Sequence, residues 1–165
     1  MDLSRALRNL MTLPLMARRR FGERVLDAIE AAIRATESQH SGEISFAVEA
    51  ALEFGELWRG GSVHERAIEV FSELRVWDTA ANNGVLIFLL LAERNVEIVA
   101  DRGAAARIGP EDWERVCRTM EEHFRAGRFE EGAIGGVQSV GALLAQHFPA
   151  TSGSTNELRD RPVVR

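Results

Sequence analysis

Gly84-Val85-Leu86-Ile87-Phe88-Leu89-Leu90-Leu91-Ala92 is the stretch on which the fold turns. The run holds no polar side chain, yet it is too short to cross a bilayer as a helix. An apolar run of this length, entered through the turn pair Asn83-Gly84, reads as a strand buried on both faces. Such a strand needs cover above and below. Glu93-Arg94-Asn95 follows it as a short connection. Val96-Glu97-Ile98-Val99-Ala100 then returns antiparallel, which makes a hairpin. Upstream, Glu43 to Ala50 alternates: Ile44, Phe46 and Val48 face one way, Ser45, Ala47 and Glu49 the other.

The segments between the strands repeat at helical spacing. Val25, Leu26, Ile29, Ala32, Ile33 and Thr36 form one stripe over residues 22–37. Ser62-Val63-His64-Glu65 has the spacing of a capping box and opens a helix through Leu74. Pro110, with Glu111 and Asp112 behind it, suits a helix start, and Trp113, Val116, Cys117, Met120 and Phe124 continue the stripe. A last helix runs from about Phe129 to His147. Its Gly132, Gly135, Gly136 and Gly141 are costly in a helix and imply close packing. Residues 53–61, which carry Trp58, and Trp77 to Asn83 read as loops. Strands separated by helices, with one hairpin, predict an α/β fold with a mixed central sheet covered on both faces.

The chain has 165 residues and a net charge of −5, which argues against nucleic-acid binding. It contains no Lys and no Tyr, so a Walker-type phosphate loop and phenolic chemistry are both excluded. Cys117 is the single cysteine, so no internal disulfide exists, and its place on an apolar stripe reads as packing. Residues 1–24 hold six Arg against Asp2 and Glu23, a balance of +4 that leaves −9 on the remainder. Within them Leu3, Leu7, Leu10 and Met11 recur at helical spacing, with Arg5 and Arg8 off the stripe and Pro14 at its end. Two readings fit residues 1–20: peripheral contact with an anionic membrane, or a segment that docks on its own domain as a helix or frays as a terminus. The shortness of the segment favours the second. Apolar residues interrupted by Arg5, Arg8 and Asn9 do not make an export signal, so the expected location is the cytoplasm. The expected organisation is a basic amphipathic segment over 1–21, a domain over 22–148 and a polar, disordered tail over 149–165.

The hairpin brings Asn82, Asn83 and Asp101 to one sheet edge, beside the loop carrying Asp78. Carboxylate, amide and carbonyl oxygens are the hard ligands of Ca²⁺ or Mg²⁺, so Asp78, Asn82, Asn83 and Asp101 are the candidate metal ligands. Ordinary turn chemistry explains the same residues. Arg102 and Glu43 are the candidates for anion or substrate contact, and Trp77, Thr79, Gly84 and Gly103 complete the cleft. His40, His64, His123 and His147 show no metal-ligand spacing, and only His40 falls near this edge. No nucleophile elbow surrounds Ser41 or Ser45.

Several stretches taken in order resemble the TPM domain family. They are Ser41-Gly42-Glu43-Ile44, Ala67-Ile68-Glu69-Val70-Phe71, Arg75-Val76-Trp77, Asn82-Asn83-Gly84-Val85-Leu86-Ile87 and Val96-Glu97-Ile98-Val99-Ala100. The Phe124-x-x-Gly127-x-Phe129-x-x-Gly132 pattern closes the set, and the resemblance spans most of residues 22–148. It implies a three-layer αβα sandwich around a small mixed sheet of about four strands, one more than the pattern alone reveals. It also implies a cleft beside the central strands where some members bind Ca²⁺, and phosphatase activity in a plant member. Members are usually exported or membrane-anchored. The sequence departs at the cleft. Trp77-Asp78-Thr79 stands where the family has Trp-x-Gly. Asp101-Arg102-Gly103-Ala104-Ala105 stands where it has Gly-x-Gly-Leu-Glu, so Ala105 replaces an acid and Asp101 supplies one. Two functions follow as expectations. One is a non-catalytic binding module for a protein or membrane partner. The other is a metal-assisted phosphomonoesterase using Asp78, Asn83 and Asp101, with Arg102 on the phosphate.

Overall fold

The structure, a computed structural model, describes residues 3–151 and 156–165. The apolar run forms β2 (Gly84–Leu90), buried along its whole length. It pairs in parallel with β1 (Glu43–Glu49), Glu43 opposite Gly84, and antiparallel with β3 (Asn95–Ala100), Val85 opposite Ala100. A fourth strand, β4 (Val163–Val164), lies parallel to β1 and gives the order β3-β2-β1-β4.

Strand alternation sorts the side chains into two cores. Ile44, Phe46 and Val48 with Val85, Ile87 and Leu89 pack under α3 (Glu23–Glu37), α7 (Pro110–Arg125) and α8 (Phe129–His147). Ala47 with Leu86, Phe88 and Leu90 packs under α4 (Phe54–Trp58) and α5 (Val63–Glu73). The result is the expected αβα sandwich with a mixed four-stranded sheet. The capping box also forms: Ser62 Oγ accepts from Glu65 N at 3.1 Å, and Glu65 Oε2 accepts from Ser62 N at 2.9 Å. The glycines of α8 are close approaches. A Cβ at Gly136 would sit 2.2 Å from Met120 Sδ, and one at Gly141 would sit 2.5 Å from Thr36 Cβ. Gly135 is different, with open space around it.

Three expectations are corrected. Residues 149–165 do not form a disordered tail in their described part. Arg161 reaches Glu23, Asp27 and Glu30, Arg34 holds Asp160, and Val163–Val164 enters the sheet. The fold therefore extends past 148: β4 pairs with β1, and Leu158 and Val164 pack against the two cores. Residues 53–61 are not all loop, because a second capping box, Glu53 with Glu56, starts the short α4. The N-terminal stretch also contains a second helix. Beyond α1 (Leu3–Met11), Pro14 opens α2 (Pro14–Arg20) instead of ending helical structure, and Ala17 and Phe21 enter the core. Pro is compatible with a first helical turn, whose N–H groups lack intrahelical partners.

Candidate functional site

Glu43, Gly84 and Asp101 meet at one end of the sheet because β1 and β2 start there and β3 ends there. The Asp101 N–H donates to Gly84 O at 2.9 Å, and Glu43 N–H donates to Asn83 O at 3.4 Å. The backbone is closely fitted here. A Cβ at Gly84 would lie 2.0 Å from Val76 O, and one at Gly103 would lie 2.6 Å from Asn82 O. Both glycines are thus set by approach of neighbouring chain, and not by turn preference alone. Asn82 takes a positive φ of 51°, and its carbonyl accepts from Gly103 N and Ala104 N at 2.8 and 3.2 Å. Thr79 is buried, and its Oγ1 accepts from Asn83 N at 3.1 Å.

These contacts hold Asn83 and Asp101 inward. Asn83 is fully buried and Asp101 is 7% exposed. Asn83 Nδ2 donates to Ser41 O at 2.8 Å, which joins the loop to the start of β1. Asp101 caps α6 (Arg102–Ala105), one oxygen accepting from Arg102 N at 2.7 Å. Asn83 Oδ1 and Asp101 Oδ2 are buried with no hydrogen-bond partner among the described residues. A buried acceptor left unpaired costs about 1–3 kcal/mol, so both oxygens call for a water or a cation.

The other expected site residues are placed differently. Asp78 lies on the solvent side of the loop, 3.3 Å from Arg75, and Arg75 also stacks on exposed Trp77 with 5.6 Å to the ring centroid. Arg102 points into solvent. Glu43 is buried and turned toward the C-terminal segment, where Oε2 accepts from Leu158 N at 3.1 Å. Burial raises its pKa, and nearby Glu157 and Asp160 add to the effect against two backbone hydrogen bonds. A carboxyl so held is poorly suited to contact an anion.

Sequence reasoning missed the company Glu43 keeps. Arg34, Glu37, His40, Glu43 and Asp160 line a cleft of about 310 Å³ at the same end of the sheet. Burial pushes Glu37 up to about 8, reinforced by Glu43 and Asp160 and opposed by a hydrogen bond from Ile44 N and by Arg34. His40 is buried, its Nδ1 bonded to Gly42 O at 2.9 Å and its Nε2 unpartnered. Burial lowers its pKa, which favours the neutral ring. The sequence signal available was the pair Glu37 and His40 flanking the turn before β1. Asp160, in the presumed tail, gave none. Elsewhere, burial pushes the Cys117 thiol up to about 12, which favours its protonated form.

These features define an αβα domain with a polar edge where its central strands begin. The TPM domain family matches residues 21–143, and the chain belongs to it. It is similar to the BA42 protein from the psychrophilic bacterium Bizionia argentinensis, with 28% identity over 85% of this chain and 92% of that one, and a TM-score of 0.75. Two further structures share the fold. The N-terminal domain of a P. gingivalis protein is 21% identical, covering 79% of this chain and 82% of its own, at a TM-score of 0.62. The N-terminal domain of cg2496 from Corynebacterium glutamicum is 13% identical, covering 84% and 80%, at 0.54. No curated protein matches the chain. Among the described residues no helix is long and apolar enough to cross a membrane.

Proposed function

We propose that this TPM domain is a non-catalytic binding module whose sheet edge holds a hydrated divalent cation, Ca²⁺ or Mg²⁺, through Asn83 Oδ1 and Asp101 Oδ2. One observation carries the reading: these two oxygens are buried, unpartnered and borne by adjoining segments of the edge. Both are hard donors of the kind these cations prefer. Among the described residues no three His, Cys, Asp or Glu side chains converge on one point. The site therefore carries one negative charge, and water completes the coordination. Few charged ligands mean weak affinity, on the order of 10⁻⁴–10⁻³ M. A bound cation would neutralise Asp101 and fix the loop from Thr79 to Gly84 against β3, giving a partner a rigid edge.

Binding is favoured over phosphomonoester hydrolysis because the expected catalytic set is dispersed. Asp78 faces Arg75 in solvent, and Arg102 lies on the surface. Calorimetric titration of the chain with CaCl₂ and MgCl₂, alongside Asp101→Asn, tests the reading. The amide can still cap α6 while the charge is lost. Saturable binding that weakens at least ~10-fold, about 1.4 kcal/mol, is expected. Identical heats for both proteins would sink it. Metal-dependent turnover of an aryl phosphate, lost in Asp101→Asn, would establish the hydrolase instead.

A further inference from the structure

The N-terminal helices present their apolar side chains outward. In α1 the buried residues are Ala6 and Asn9, not the leucines. Asn9 Nδ2 donates to Arg5 O and to Glu93 Oε1, both at 3.0 Å, and its Oδ1 accepts from Leu52 N at 2.9 Å. Arg5 donates to the same Glu93 oxygen at 2.8 Å and to Gly61 O at 3.0 Å. The helix does dock on its own domain, but through its polar side. Buried Ala17 and Phe21 anchor the end of α2. Leu3, Leu7, Leu10, Met11, Leu13, Leu15 and Met16 are left 51–77% exposed. Among the described residues the other exposed large apolar side chains, Trp58, Ile68 and Trp77, lie apart in sequence. An apolar patch fixed outward by specific polar bonds is a presented surface, since burying it would relieve the hydration cost.

Charge identifies the occupant. Arg8, Arg18 and Arg19 are exposed beside this patch and form no ion pair among the described residues. By contrast Arg24, Arg34, Arg66 and Arg161 each hold a carboxylate. Residues 1–24 carry +4 against −9 for the remainder. An anionic surface would attract this face and repel the body, orienting the domain with its N-terminus down. A two-fold dimer through the same patch would instead set +4 against +4. We infer that α1 and α2 dock the domain on anionic lipid. The aliphatic side chains enter the headgroup–acyl boundary, and Arg8, Arg18 and Arg19 meet the lipid phosphates and carboxylates. The patch is small, so binding is reversible and weakens with salt.

Co-sedimentation of the full chain with phosphatidylcholine vesicles, with and without phosphatidylserine, tests this. Pelleting only with phosphatidylserine is expected. Leu7→Glu/Leu15→Glu should abolish it, and Arg18→Gln/Arg19→Gln should weaken it on the order of tenfold or more. All four positions are exposed, so an unchanged thermal midpoint separates lost docking from lost folding. Absence of pelleting with either vesicle overturns the inference, as does equal pelleting of the leucine variant. A dimer at sedimentation equilibrium that Leu7→Glu/Leu15→Glu dissociates, without vesicle binding, assigns the patch to a second copy and overturns it too.

Discussion

Asp78 and Asp101 are both single acids beside the start of β2, and their surroundings differ sharply. Asp78 has an arginine at 3.3 Å, and its side chain remains 56% exposed. Asp101 is 7% exposed, with one oxygen on a backbone N–H and the other on nothing. Water screens the first charge, and its ion pair is worth little. The second sits where screening is poor and an added cation gains most. Candidate ligands that look equivalent by spacing are separated by burial and by which of their lone pairs is already used.

The difference can be broken at its foundation. Gly84→Ala would drive a Cβ into Val76 O at the start of β2, next to Asn83. We expect destabilisation of about 3 kcal/mol, read as a shifted urea midpoint, because a backbone oxygen cannot move aside as a side chain would. A midpoint within error of the parent would show that the wall is soft.

Next in size is Glu37. Its folded pKa of about 8 lies above the ordinary value of 4.5, so the folded protein holds its proton more tightly than the unfolded chain. The stability this contributes is complete below about pH 4.5 and is lost as pH rises through about 8. Glu37→Gln imitates the protonated carboxyl and keeps an acceptor for Ile44 N. It should therefore melt above the parent at pH 8.5, by several degrees, and converge with it near pH 5. A constant gap across that range would assign the effect to packing instead of titration. Glu37 relieves its burial by taking a proton.

Much of the architecture was legible, because β2 has one reading and the flanking stripes have the right period. What escaped depended on partners remote in sequence. Val163–Val164 is too short to register as a strand, and its partners, β1 in the sheet and the core beneath Val164, lie far off in sequence. The stripe of Leu3, Leu7 and Leu10 has the spacing of a buried face, but Asn9 found Leu52 and Glu93 and turned that face out. At the edge, hairpin geometry accounts for the Asn83–Gly84 and Asp101 segments adjoining through the Asp101 N–H to Gly84 O bond. The diversion of Asp78 to Arg75 and of Glu43 to Leu158 N did not, since each rests on a side-chain choice that spacing leaves open.

A smaller effect is expected on the exposed side of the loop. Asp78→Ala should leave cation affinity unchanged and shift stability by no more than ~0.5 kcal/mol. Loss of binding in this variant would return Asp78 to the ligand set and undo the contrast.

The most direct test follows the side-chain amide of Asn83 by NMR while Mg²⁺ or Ca²⁺ is added to isotopically labelled chain. Coordination at Oδ1 polarises the amide, so the Asn83 Nδ2 signals should shift saturably. The backbone N–H groups of Arg102 and Gly103 should move at the same cation concentration, and Asp78 should stay still. Shifts confined to Asp78 and other exposed acids, or no shift of the Asn83 side chain at millimolar cation, would contradict a site built on the two buried oxygens.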